Sequence, residues 1–97
     1  MCGIVGGVNV DVNRSHIDLI SHRGPDDIGM VVLEVGNHAV TLGHARLAIV
    51  DLSAAGHQPM FTKGRESALV FNGEIYNQND LRKGLKSIRF NGRSDTE

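Results

Sequence analysis

The chain has 97 residues, 40% hydrophobic and 22% charged, the composition of one globular domain or part of one. Ten Lys plus Arg against eleven Asp plus Glu leave a formal net charge of -1, and no basic run is long enough to track a phosphate backbone, so neither nucleic acid nor a membrane surface is an expected partner. One cysteine excludes an internal disulfide; with no apolar run of membrane-spanning length and no export leader, a reducing, cytoplasmic setting is expected.

In chain order, Ile4, Val5, Val8 and Val10 predict a first strand, in which the glycines at 3, 6 and 7 allow close backbone approach or a bulge. Residues 15–21 predict a short helix carrying Ile17, Leu19 and Ile20, stopped by the turn-rich Arg23-Gly24-Pro25-Asp26-Asp27. Residues 30–35 and 39–42 read as two strands of a hairpin folded at Gly36-Asn37. Two further strands are predicted at 47–50 and 68–71, with a polar loop over 53–65 between them. Asn77 or Asn79 is placed to cap a helix reaching residue 86, with Leu81 and Leu85 on one face; Gly84 weakens it by about 1 kcal/mol relative to alanine. The pattern is α+β and rich in strands, without repeat, low-complexity tract or interdomain linker.

The lone cysteine stands directly behind Met1. Free cysteine ordinarily packs as a small hydrophobe. At position 2, however, removal of the methionine would leave thiol and α-amine on one residue. A free α-amine accepts a proton near neutral pH, which suits it to assist a thiol that is otherwise only a few per cent ionised. Acyl transfer is the chemistry this pairing serves, and it requires an oxyanion hole and a clamp for the substrate.

The segments MCGIVGG, HRGPDDIG at 22–29, LGHARLAIVDLS at 42–53, GHQPM at 56–60, FNGEIYN at 71–77 and RSDTE at 93–97 together resemble, in order, the N-terminal glutaminase domain of the class II glutamine amidotransferases. HRGPDD, Arg46 followed by Leu47, and NGEIYN are most similar to the wording of glutamine-dependent asparagine synthetases. The resemblance implies an N-terminal nucleophile hydrolase sandwich of antiparallel sheets with flanking helices, of which residues 1–97 would be the N-terminal part. It also implies L-glutamine as substrate and Cys2 as the nucleophile that releases ammonia and leaves a γ-glutamyl thioester.

By the same resemblance, Asn72 and Gly73 are the oxyanion-hole positions, Arg46 holds the glutamine α-carboxylate, and Glu74 and Asp95 accept from its α-ammonium. A planar guanidinium suits a carboxylate, and fixed donors suit a developing oxyanion. Ile49 and Val50 are expected to give backbone contacts and packing. Taken alone, Asn-Gly is a turn signal and an arginine at a strand end is a surface residue; only their company suggests more.

His16, His22, His38, His44 and His57 show no metal-ligand spacing, so no metal is expected here. His22 and Arg23 are expected to organise loops around the site. The chain stops inside the domain it resembles and carries no phosphate-binding loop of the synthetase kind. ATP and Mg are accordingly expected only with a synthetase domain absent from this chain, and a separate synthetase chain or the missing C-terminal part is the expected partner. Apolar sheet faces and a poorly held Asp95 near the last residue follow from that ending. The alternative is a catalytically silent fragment or small interaction module.

Overall fold

Three antiparallel strands form the main sheet of the computed structural model, which describes residues 1–97: β1 (Gly3–Val8), β2 (Asp27–Val35) and β3 (His38–Arg46), in the order β1-β3-β2. The hairpin between β2 and β3 turns at Gly36-Asn37 as expected, with Val35 opposite His38 and Gly36 at φ 61, a conformation glycine adopts without strain. β1 lies on the other side of β3, with Gly3 opposite Ala45 and Val8 opposite Val40. Side chains alternate along each strand, so Val5, Gly43 and Ala45 share one face while Ile4, Leu42 and Val31 share the other.

The first of these faces is covered by α1 (Arg14–Asp18). Asn13 caps the helix, accepting from the Ser15 N–H at 3.0 Å, while His16 Nδ1 accepts from the Asn13 N–H at 3.1 Å. This cap starts the helix one residue earlier than the apolar pattern suggests; the helix ends at Asp18, after little more than one turn, and a 3-10 turn (Ser21–Arg23) follows. Ile17 is fully buried. A Cβ added at Gly43 would lie 2.9 Å from its Cδ1, so the missing side chain is what lets the helix rest on the sheet. Burial of such a side chain contributes about 1.5–3 kcal/mol.

The expected strand at 47–50 does not form. β3 runs on to Arg46, and beyond it the Leu47 N–H points to Cys2 Sγ and the Ala48 N–H to the Asp26 carboxylate at 2.8 Å. With its donors taken by side chains, the segment has no ladder to join and bends, leaving Ile49 and Val50 exposed. The expected strand at 68–71 shrinks to β5 (Ala68–Leu69), paired with β4 (Met60–Phe61) from within the polar loop; the Phe71 N–H goes instead to the side chain of Gln58. Helix α2 (Gln78–Gly84) begins after Asn77 and ends before Leu85, shorter than its pattern. No helix is long and apolar enough to cross a membrane.

The result is an α+β fold with antiparallel sheets and few helices. Its apolar core is small: Ile17 and Ala45 are the buried hydrophobic side chains, whereas Thr41, His44, Arg46, Asp51, Gln58 and Ser94 are buried polar ones. Thr41 apart, those polar groups gather at one end of the main sheet.

Candidate functional site

The register of β1 on β3 creates the site. Cys2 precedes Gly3 and Arg46 follows Ala45, and Gly3 and Ala45 are paired, so thiol and guanidinium emerge together from one end of the sheet. Cys2 is partly buried, with its sulfur accepting from the Leu47 N–H at 3.4 Å and 3.8 Å from the Leu47 carbonyl. Arg23 Nε donates to the Cys2 carbonyl at 3.2 Å, so Arg23 does organise this end of the chain. Met1 is 75% exposed at the rim.

Arg46 is almost completely buried, its guanidinium held from behind by two carbonyls: Nη1 donates to Ser53 O at 2.9 Å and Nη2 to Asp51 O. An arginine side chain has five N–H donors, so these two bonds leave three. Gly56 packs directly against the guanidinium, where a Cβ would lie 2.0 Å from Nη2. The loop owes its shape to Asp51. Its carboxylate accepts from the Ser53 hydroxyl at 2.6 Å and N–H at 2.8 Å, and from the Arg93 N–H at 2.6 Å. These bonds, that of Arg93 foremost, hold the Asp51 carboxyl well below the usual carboxylate range. One anion thus joins the Arg46 loop to the last residues of the chain.

Asn72, Gly73 and Glu74 are exposed on an irregular segment whose entry is fixed by two buried side chains. The Phe71 N–H donates to Gln58 Oε1 at 2.6 Å, and His44 Nε2, 3.2 Å from the Phe71 carbonyl, donates to it. With its proton on Nε2, His44 has a free acceptor at Nδ1, which is buried and without a partner. Burial, chiefly, lowers the His44 pKa from its ordinary 6.5; the bond to Phe71 and the charge of Asp27 oppose the shift, and Arg46 and His57 add to it.

Asp95 is better held than its place near the last residue suggests. Its Oδ2 accepts from the Ile75 N–H at 2.9 Å, while the neighbouring Thr96 hydroxyl accepts from Gln58 Nε2 at 3.0 Å. Arg82 of α2 donates to the carbonyls of Gly92 and Ser94 at 2.8 and 2.7 Å, and Glu97 accepts from the Gly92 N–H at 2.9 Å. The segment is closed by its own polar groups.

All eight residues singled out in the sequence, Cys2, Arg46, Ile49, Val50, Asn72, Gly73, Glu74 and Asp95, line one cleft of about 290 Å³. That is the small end of the range of ligand pockets. Asp51, Gln58, Phe71 and Thr96 also line it, residues to which the sequence motifs assign no role. The Asp51-Leu52-Ser53 spacing, an aspartate two residues before a serine, was the available signal for a carboxylate that builds its own turn.

A thiol, a guanidinium and two carboxylates thus line one cleft, a set of groups whose charges complement those of a small zwitterion. The profile of the glutamine amidotransferase domain family matches residues 1–97, and the chain belongs to that family. It is 40% identical to asparagine synthetase (glutamine-hydrolyzing) 3 of Bacillus subtilis and 41% identical to asparagine synthetase (glutamine-hydrolyzing) 3 of Arabidopsis thaliana, in each case over all of this chain and 17% of the relative. It is also 41% identical, over 91% of its length and 13% of the relative, to the amidase chyE of Penicillium rubens. The chain therefore spans under a fifth of the length of these curated relatives. No solved structure matches it significantly.

Proposed function

We propose that the cleft is the glutamine site of an amidotransferase, and that residues 1–97 are the N-terminal part of a type-2 glutaminase domain with the N-terminal nucleophile hydrolase sandwich. After removal of Met1, the Cys2 thiol gives its proton to the new α-amine as its sulfur attacks the side-chain amide carbon of L-glutamine, and the amine passes that proton to the departing nitrogen. The C–N bond breaks, ammonia leaves, and water hydrolyses the γ-glutamyl thioester to glutamate. Asn72, through its side-chain amide, and Gly73, through its N–H, hold the oxyanion; donors of this kind contribute roughly 3–4 kcal/mol each. Arg46 takes the α-carboxylate, Glu74 and Asp95 take the α-ammonium, and Ile49 and Val50 flank the bound amino acid.

The observation that carries this reading is the sheet register, which puts Cys2 beside Arg46 in the cleft that Asn72, Gly73, Glu74 and Asp95 also line. The names of the relatives suggest an acceptor: ammonia would pass to a synthetase domain or chain where ATP and Mg act, as in asparagine formation.

The test is ammonia release from glutamine by the protein with Cys2 exposed. Cys2→Ser should abolish it, a hydroxyl being far less nucleophilic near pH 7, and so should residues appended before Cys2 with the thiol intact. Full activity in an N-terminally extended protein, confirmed uncleaved by mass spectrometry, would remove the α-amine from the mechanism. A protein that binds no glutamine and releases no ammonia would leave the silent-fragment reading.

A further inference from the structure

We infer that Gln58 is a positioning residue of this cleft, its buried side-chain amide coupling the segment that carries Asn72 and Gly73 to the segment that carries Asp95; the inference rests on the glutamine-site reading above. Gln58 is 5% exposed, and each end of its amide has one partner. Oε1 accepts from the Phe71 N–H at 2.6 Å, and Nε2 donates to the Thr96 hydroxyl at 3.0 Å. These partners stand 13 and 38 residues away in sequence.

An amide is the group this task requires. It has an acceptor at one end and a donor at the other, whereas an ionised carboxylate only accepts and an apolar side chain does neither. The bridge is also anchored to the most regular part of the fold. Gly29 of β2 packs against the Gln58 backbone so closely that a Cβ there would lie 1.9 Å from the Gln58 carbonyl oxygen.

The Phe71 end matters because His44 grips the other side of the same residue. With its N–H on Gln58 and its carbonyl on His44, Phe71 has both flanking peptide planes fixed, and Asn72 is the next residue. The Thr96 end matters because Thr96 follows Asp95, whose Oδ2 accepts from the Ile75 N–H just beyond Glu74. Gln58 thus aligns the oxyanion donors with an ammonium acceptor, and both must stay within about 0.5 Å of the productive geometry.

Two variants separate the ends of the bridge. Gln58→Met, similar in volume, removes both bonds; Thr96→Val removes only the second. Amide hydrogen exchange of the full chain, followed by NMR, reads the coupling without reference to activity. Gln58→Met should speed exchange of the Phe71 amide by about tenfold or more, and Thr96→Val should leave Phe71 protected while speeding the Ile75 amide by a similar factor. In glutamine hydrolysis, Gln58→Met should lower kcat and raise KM, each by about tenfold, whereas Thr96→Val should raise KM alone.

The double variant should have the KM of Gln58→Met, because the bond between the two residues is lost once. Phe71 exchange within about twofold of wild type in Gln58→Met, or KM effects that multiply in the double variant, would overturn the inference. Should Gln58→Met fail to fold, unchanged Ile75 exchange in Thr96→Val overturns it equally. A wild-type protein with Cys2 exposed that releases no ammonia overturns the glutamine reading instead, and the exchange rates then decide the coupling by themselves.

Discussion

Gly56→Ala tests whether the Arg46 guanidinium is the carboxylate clamp. The new Cβ would lie 2.0 Å from Nη2, 2.6 Å from Cζ and 3.2 Å from Nη1, whereas an unstrained contact needs about 3.5 Å. The guanidinium must therefore retreat by roughly 1.5 Å, enough to break its bond to the Asp51 or the Ser53 carbonyl. A hydrogen bond from a charged donor contributes about 1.5–3 kcal/mol, and a displaced guanidinium also loses its alignment with a substrate carboxylate. The expected result is a glutamine KM raised by about tenfold to hundredfold with kcat within about threefold, because the α-carboxylate is bound equally in ground and transition states. Initial rates of ammonia release against glutamine concentration measure both constants. Gly64→Ala is the control, since a Cβ there meets nothing nearer than the flexible Glu66 side chain at 3.6 Å. A folded Gly56→Ala protein with the wild-type KM would refute the assignment of Arg46.

Asn72→Ala should lower kcat by about 10²–10³ with little change in KM, because an oxyanion bond strengthens only in the transition state; an unchanged single-turnover rate would remove Asn72 from the oxyanion hole. The lowered pKa of His44 means that below its ordinary value of 6.5 the unfolded chain binds more protons than the folded one. Stability from neutral His44 is thus complete above about pH 6.5 and lost as pH falls from there toward the folded pKa. Urea midpoints over that interval should show the fall, and His44→Gln, which keeps an N–H for the Phe71 carbonyl, should flatten it.

The strands of the sheet are legible because alternation and the Gly36-Asn37 turn are local signals. Leu47, Ala48, Ile49 and Val50 mislead for the same reason: four apolar residues look like a strand, and nothing in their identities tells that Cys2 and Asp26 will take the donors at 47 and 48. The start of α1 is a cap effect, decided by Asn13 rather than by the apolar residues behind it, while its end at Asp18 falls short of the apolar pattern. In the cleft, Cys2, Arg46, Asn72 and Gly73 could be singled out because their chemistry shows in the motifs they belong to. Gln58 could not, since its bonds reach residues 13 and 38 positions away and no short pattern encodes such partners; of Asp51 only the local turn to Ser53 is legible, not the bond to Arg93, 42 positions on.

Those hidden residues explain how so small an apolar core supports a defined cleft. With Ile17 and Ala45 as the buried hydrophobic side chains, the cleft end of the sheet is organised by His44, Arg46, Asp51, Gln58 and Ser94. Buried polar groups contribute modestly when satisfied and cost more when a partner is lost, about 1–3 kcal/mol for each orphaned group. The same bonds that place Arg46, Asn72 and Asp95 therefore help to hold the chain around them. Loss of stability alone cannot identify a positioning role here, because every buried polar substitution at this end should cause it. A split between KM and kcat can, since in the proposed function the Arg46 and Thr96 ends of the network bear on the amino-acid head group and the Phe71 end on the oxyanion.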